Sequence, residues 1–249
     1  FLRLRPKSSS RRFDFLTIAS AGTQLLAGAG CVPASSFKGK AMNTTNDFFK
    51  SLPLVGSILG NKLGVQVALG GNCPCTNGQT IMLPLKLKEN SVSKEVVLGF
   101  ITHEASHIRF TDFSVLPQQE LKFHLMNAIE DSRIERKIVQ EYPGASFLLR
   151  KCYEWSISRR PSVRKISPAS VCVLYSLLKT QTMFNDFLKK YADEARVRGV
   201  ELFGEDVMTA VDAVLADFDK IYSTQGSSWL ASRIFDLLMK KLQDSEESN

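Results

Sequence analysis

The chain is poor in the residues that usually announce a function. It has only three histidines, its five cysteines (Cys31, Cys73, Cys75, Cys152 and Cys172) follow no framework spacing, and no internal repeat runs through its 249 residues. An odd set of unspaced cysteines argues against a disulfide-stapled scaffold and suits a reducing compartment, so the expected location is cytoplasmic. Cys73-Pro74-Cys75 lacks the second pair that a metal set needs and reads as a turn. Long apolar runs are scarce too. The one long uncharged stretch, Phe15 to Phe37, is diluted by Gly, Ser and Thr and makes a poor membrane span. The formal charge of +7 suggests nucleic acid at first sight. However, residues 1–41 hold seven basic side chains and one acid, whereas the remaining 208 hold 25 and 24. The body of the chain is nearly neutral, so neither nucleic acid nor a membrane is an expected partner.

What is present is organised around one segment. His103-Glu104-Ala105-Ser106-His107 is an H-E-x-x-H motif, preceded by the apolar run Val96 to Ile101. Residues four apart on a helix share a face about 6 Å apart along the axis, so both imidazoles can reach one ion. Glu104 lies about 100° around the helix, beside the ion rather than on it, where it can take a proton from a water that Zn²⁺ acidifies. Two hydrogen-bonded core histidines are the simpler alternative. Ser93 is the expected N-cap, with Glu95 in the first turn.

Around this helix the chain reads as α+β and mostly helical. Leu63–Leu69 and Thr80–Leu83 are strands on either side of the turn signal Thr76-Asn77-Gly78-Gln79. Thr44 and Thr45 cap a short helix whose regularity Pro53 limits. A long helix spans about 118–142 and stops at Pro143-Gly144. Further helices are expected near 145–159, 168–180, 184–198, 204–222 and 228–243. Residues 1–41 resemble a signal peptide in outline, but Gly28 stands where a lipoprotein cleavage site wants a Leu-like residue. The favoured reading is translation upstream of a true start at Met42. The expected organisation is then 1–41 as leader or spurious sequence, 42–145 as the catalytic core, 146–243 as a helical subdomain packed on it, and 244–249 as an acidic tail.

A catalytic zinc usually takes three protein ligands. No third histidine follows at close spacing, since position 113 is Phe, and the next long helix offers Glu130 and Asp131. These point about 100° apart, so at most one faces the ion squarely. Glu130 is the expected third ligand, with Asp131 as partner of a ligand histidine or as the alternative ligand. Arg133 and Glu135 read as a solvated charge cluster. His124 is either a transition-state stabiliser or an ordinary helix histidine, and Asp112 either orients a ligand or caps a turn.

The segment His103 to Phe113, followed by Asn127-Ala128-Ile129-Glu130-Asp131-Ser132-Arg133-Ile134-Glu135, resembles the metallopeptidase-like region of the cobaltochelatase T-subunit-like proteins of bacteria and their phages. The resemblance covers roughly residues 45–145. It implies a zincin-like domain with a small antiparallel sheet over the active-site helix, and an edge strand near Thr80–Leu83 that pairs with a peptide or protein substrate. It also implies a possible AAA+ ATPase or von Willebrand factor A-domain partner, although the chain has no Asp-x-Ser-x-Ser motif of its own. The leading expectation is a zinc metallopeptidase with a gluzincin-type ligand set. The alternative is a non-enzymatic, cobaltochelatase-like assembly or scaffold protein working with an AAA+ ATPase.

Overall fold

Short apolar segments in the first third of the chain build a small sheet, and helices make up most of the other described residues. The structure, a computed structural model, describes residues 40–41, 47–70, 73–88 and 92–247. The expectations for residues 1–39, for a start at Met42 and for the Thr44/Thr45 cap lie outside these. Strand β1 (Lys40–Ala41) precedes helix α1 (Asp47–Leu59), which runs on through Pro53. Strands β2 (Gln66–Leu69), β3 (Cys75–Thr76) and β4 (Thr80–Leu83) follow.

The sheet is mixed, not antiparallel. Its order is β1-β2-β4-β3, and β2 runs parallel to β4 with Gln66 opposite Thr80 and Leu69 opposite Leu83. The Asn77-Gly78 turn is where the sequence places it, but it joins β4 to the two-residue β3 rather than to β2. Gly78 adopts φ +85°, and Asn77 Oδ1 accepts hydrogen bonds from Gln79 N and Thr80 N at 3.0 and 2.8 Å. With its return strand supplied locally, β4 takes β2 on its other side in parallel. Thr80–Leu83 is therefore an inner strand, and the expected substrate-pairing edge is not there.

Helix α2 (Lys94–Phe110) carries the H-E-x-x-H segment and packs on α1 and on β3 and β4. Ser93 caps it, its hydroxyl accepting from Val96 N at 3.4 Å. Next come α3 (Glu120–Glu141), α4 (Ala145–Ile157) and α5 (Pro168–Gln181). They are followed by α6 (Lys189–Phe203), α7 (Glu205–Leu215) and α8 (Thr224–Glu247). Three of these depart from expectation, α6 by spanning Lys189–Phe203 rather than 184–198. α7 ends at Leu215 and gives way to a 3-10 turn, Ala216–Lys220, and α8 continues through most of the acidic tail. No helix among the described residues is long and apolar enough to cross a membrane.

One hydrophobic cluster extends from Phe49 in α1 to Leu238 in α8, so a single core spans the segments on both sides of residue 145. α3 lies at its centre, packed against α2, α4, α5 and α8. α2 meets α4 at Gly99, one turn before His103. A Cβ there would stand 2.4 Å from Leu148 O and 2.8 Å from Cys152 Cβ. The approach requires glycine for space, not for its backbone freedom.

Gly99→Ala is therefore expected to destabilise the protein by about 1–3 kcal/mol through overpacking, despite the ~1 kcal/mol that Ala gains in helix propensity. Urea unfolding reads this directly. A midpoint at or above wild type would mean that α4 moves off α2 without cost.

Candidate metal centre

The polar residues of α2 and α3 meet inside the core. His103 pairs with Glu135 and His107 with Asp131, so four residues forward on α2 match four back on α3, as in an antiparallel helix pair. Asn127, Asp131 and Glu135 lie one turn apart along one face of α3 and form a polar stripe towards α2. His103, Glu104, His107, Asp131 and Glu135 are all at most 4% exposed.

Three donor residues converge. One ligand atom each from His103, His107 and Asp131 lies within 4.8 Å of the others. Asp131 Oδ1 is 3.1 Å from His107 Nε2 and 3.8 Å from His103 Nε2. Asn127 Nδ2 donates to both Asp131 oxygens at 3.2 Å and fixes the carboxylate in place.

The outer hydrogen bonds settle which ring nitrogen carries the proton. His103 Nδ1 is 2.7 Å from Glu135 Oε1, while Glu135 Oε2 accepts from Tyr153 Oη at 3.1 Å and Gln181 Nε2 at 2.6 Å. His107 Nδ1 is 3.0 Å from Thr111 Oγ1, whose hydroxyl donates to Glu130 Oε1 at 2.8 Å. Having given its proton to a carboxylate, Thr111 must accept from His107. Both imidazoles thus carry hydrogen on Nδ1 and point Nε2 towards Asp131. Lone pairs and a carboxylate oxygen meeting in a dry core repel one another unless a cation or a proton lies between them.

The electrostatics reflect that conflict. Burial works against a charged His103, but the hydrogen bond to Glu135 and the Asp131 charge prevail and raise its pKa to about 10. Burial, reinforced by the neighbouring His103, lowers that of His107 to about 4. Burial drives Asp131 well above the usual carboxylate range, with Glu135 and Glu130 adding to the effect. His103 Nε2 and Glu104 Oε1 are buried without a hydrogen-bond partner. Two imidazole nitrogens and a carboxylate oxygen are a donor set that suits zinc, and the unpartnered His103 Nε2 is where it fits.

Glu104 stands beside this group. Burial raises its pKa to about 7. Glu130 is not among the converging donors. Its carboxylate is saturated by Arg133 (2.7 Å from Nε to Oε2, 2.6 Å from Nη2 to Oε1), by Thr111, by Thr224 at 2.9 Å and by Ser227 at 2.8 Å. Burial raises its pKa, but Arg133 and the hydroxyl donors win and hold it below the ordinary carboxylate value. Asp131, the alternative in sequence, takes the place at the centre.

Arg133 and Glu135 are not a solvated cluster; both are 0% exposed. The sequence signals that separate these roles are Arg133 three residues after Glu130, and Glu135 four after Asp131. His124 is partly exposed, 4.0 Å from Glu120 and seven residues before Asp131. That is about 10 Å away along the helix axis, and the structure does not bring it to the donors. Asp112 caps a turn, accepting from Ser114 N at 2.9 Å. Nor do the donors reach the cavity of about 340 Å³ between α4 and α6, which is lined by residues including Ile157, Arg160, Phe187 and Tyr191.

The two adjacent carboxylates of α3 should respond oppositely to neutralisation. Glu130→Gln leaves Arg133 buried without its counter-charge and is expected to cost about 3–5 kcal/mol. Asp131→Asn removes a disfavoured charge and should leave the metal-free protein as stable as wild type or more so. Denaturant unfolding in chelator measures both, and equal losses would refute the assignment. Compared with known proteins, the chain matches no family model, no curated protein and no solved structure, so it is the donor atoms themselves that point to a metal.

Proposed function

We propose that the chain is a zinc-dependent hydrolase of the metallopeptidase type, a zincin-like domain in which His103, His107 and Asp131 hold Zn²⁺ and Glu104 is the general base. The observation that carries this reading is the convergence of His103 Nε2, His107 Nε2 and Asp131 Oδ1 beside a buried carboxylate with an unpartnered oxygen. When bound, the ion would polarise a substrate carbonyl and make water a stronger acid. Glu104 Oε1 takes the proton from the attacking water and delivers it to the leaving amine. Burial starts the Glu104 pKa at about 7, and a nearby cation lowers it. A zinc with only a structural role has no need of such a base. Peptides and proteins are the proposed substrates, and the cytoplasm, where the four described cysteines remain thiols, is the proposed location.

One observation favours a second reading. A catalytic zinc keeps an open coordination position, whereas His103, Glu104, His107 and Asp131 are nearly inaccessible. A sealed ion would stabilise an assembly protein acting with an AAA+ ATPase, in keeping with the resemblance of the two motif segments.

Elemental analysis of the full chain by plasma mass spectrometry, together with a peptide-hydrolysis assay, separates these readings. The expected result is about one zinc per chain in wild type and in Glu104→Gln, and none in His103→Ala or Asp131→Ala. Hydrolysis should fall by at least about 100-fold in Glu104→Gln, the scale of general-base catalysis. Zinc in wild type with no difference in turnover between wild type and Glu104→Gln would support the assembly protein. No zinc in wild type would refute the metal centre.

A further inference from the structure

Among the described residues, the most extensively hydrogen-bonded carboxylate belongs to Glu130, which is not one of the converging donors. Glu130 receives five hydrogen bonds from four residues on three separate parts of the chain. Arg133 lies on its own helix, Thr111 at the end of α2, and Thr224 and Ser227 in the first turn of α8. Arg133 also donates to Phe110 O at 2.8 Å and to Tyr222 O at 3.3 Å, so the guanidinium ties the end of α2 to the approach to α8. Thr224 Oγ1 in turn accepts from Asp112 N at 2.8 Å.

We propose that Glu130 is a positioning residue which, through Thr111, orients His107 towards the ion, and that the first turn of α8 completes this relay. The proposal rests on the metal centre described above. Its logic is directional. The Glu130 carboxylate only accepts. Because it draws the Thr111 proton to itself, Thr111 offers a lone pair to His107 Nδ1–H, and that leaves His107 Nε2 bare. Thr224 and Ser227 hold Glu130 Oε1 and Oε2 against rotation. Without them Glu130 keeps Arg133 but loses two of the contacts that fix its plane. Retention of an ion by His107 then depends on residues more than a hundred positions further along the chain. His103 has its own support in Glu135, Tyr153 and Gln181, independent of α8.

Zinc affinity of the full chain, measured by competition with a chromophoric chelator, tests the relay without any activity assay. Thr111→Val keeps the shape and the Glu130–Arg133 pair but removes the hydroxyl. It should weaken zinc binding by about 10- to 100-fold, as does loss of an outer hydrogen bond to a ligand histidine. Thr111→Ser, which keeps the hydroxyl, should restore affinity to near wild type. The double variant Thr224→Val/Ser227→Ala should also weaken binding, by about tenfold. In the cobalt-substituted protein the visible spectrum of both weakened variants should change, reporting altered geometry rather than general loosening. Thr111→Val binding zinc as tightly as wild type would overturn the proposal, as would Thr111→Ser binding as weakly as Thr111→Val. Wild-type affinity in the α8 double variant would overturn the part assigned to α8. A wild-type chain that binds no zinc would overturn the metal centre and the relay together.

Discussion

Four carboxylates, Glu104, Glu130, Asp131 and Glu135, are buried together against a single guanidinium, that of Arg133. Charges taken out of water cost several kcal/mol each unless they are paired and hydrogen-bonded. The structure meets this in two ways. Glu130 is neutralised by Arg133 and further satisfied by three hydroxyls, and it stays ionised at a depressed pKa. Glu104 and Asp131 have no such cation. Both have raised pKa values, and of the two imidazoles beside them only His103, with its pKa raised to about 10, takes up a compensating proton. A divalent cation is the simplest remedy for that imbalance.

The rest of the fold serves to keep this cluster dry and registered. α3 is central because it presents the Asp131 donor, the carboxylates of Glu130 and Glu135 and the Arg133 guanidinium within six positions, so neighbouring helices meet different polar groups. Close packing at Gly99 brings α4 against α2 and places Tyr153 where its hydroxyl reaches Glu135. α5 contributes Gln181 to the same carboxylate, and α8 contributes Thr224 and Ser227 to Glu130. Apolar residues from every helix fill the space between, which is why one core runs through the whole described chain.

Much of this was legible in the sequence, and the limits have physical causes. The capped helix over the H-E-x-x-H segment follows from Ser93, the apolar run and the four-residue spacing, all of them local. The end of α3 follows from Pro143-Gly144 in the same way. The choice between Glu130 and Asp131 was open because adjacent helix positions differ only in direction, and direction is set by what the helix packs against. Arg133 at i+3 from Glu130 was the available clue. Glu135 reads as solvated in the sequence because charges crowded on one helix usually face water, and only the paired helix shows that these do not. The sheet differs from expectation because a local Asn-Gly turn names its own hairpin and says nothing about a third strand, and here β2 pairs in parallel through a crossover. No sequence pattern links Thr224 to Glu130 across 94 residues.

That separation has a consequence for how the protein comes into being. The three donors are all synthesised by residue 131, but Thr224 and Ser227 follow more than ninety residues later. At ribosomal rates of about 5–20 residues per second, that is roughly 5–20 s during which the donors exist and α8 does not. In the finished fold they are nearly sealed. On the proposed metal-centre reading, an ion has that interval in which to reach the donors before α8 joins Glu130.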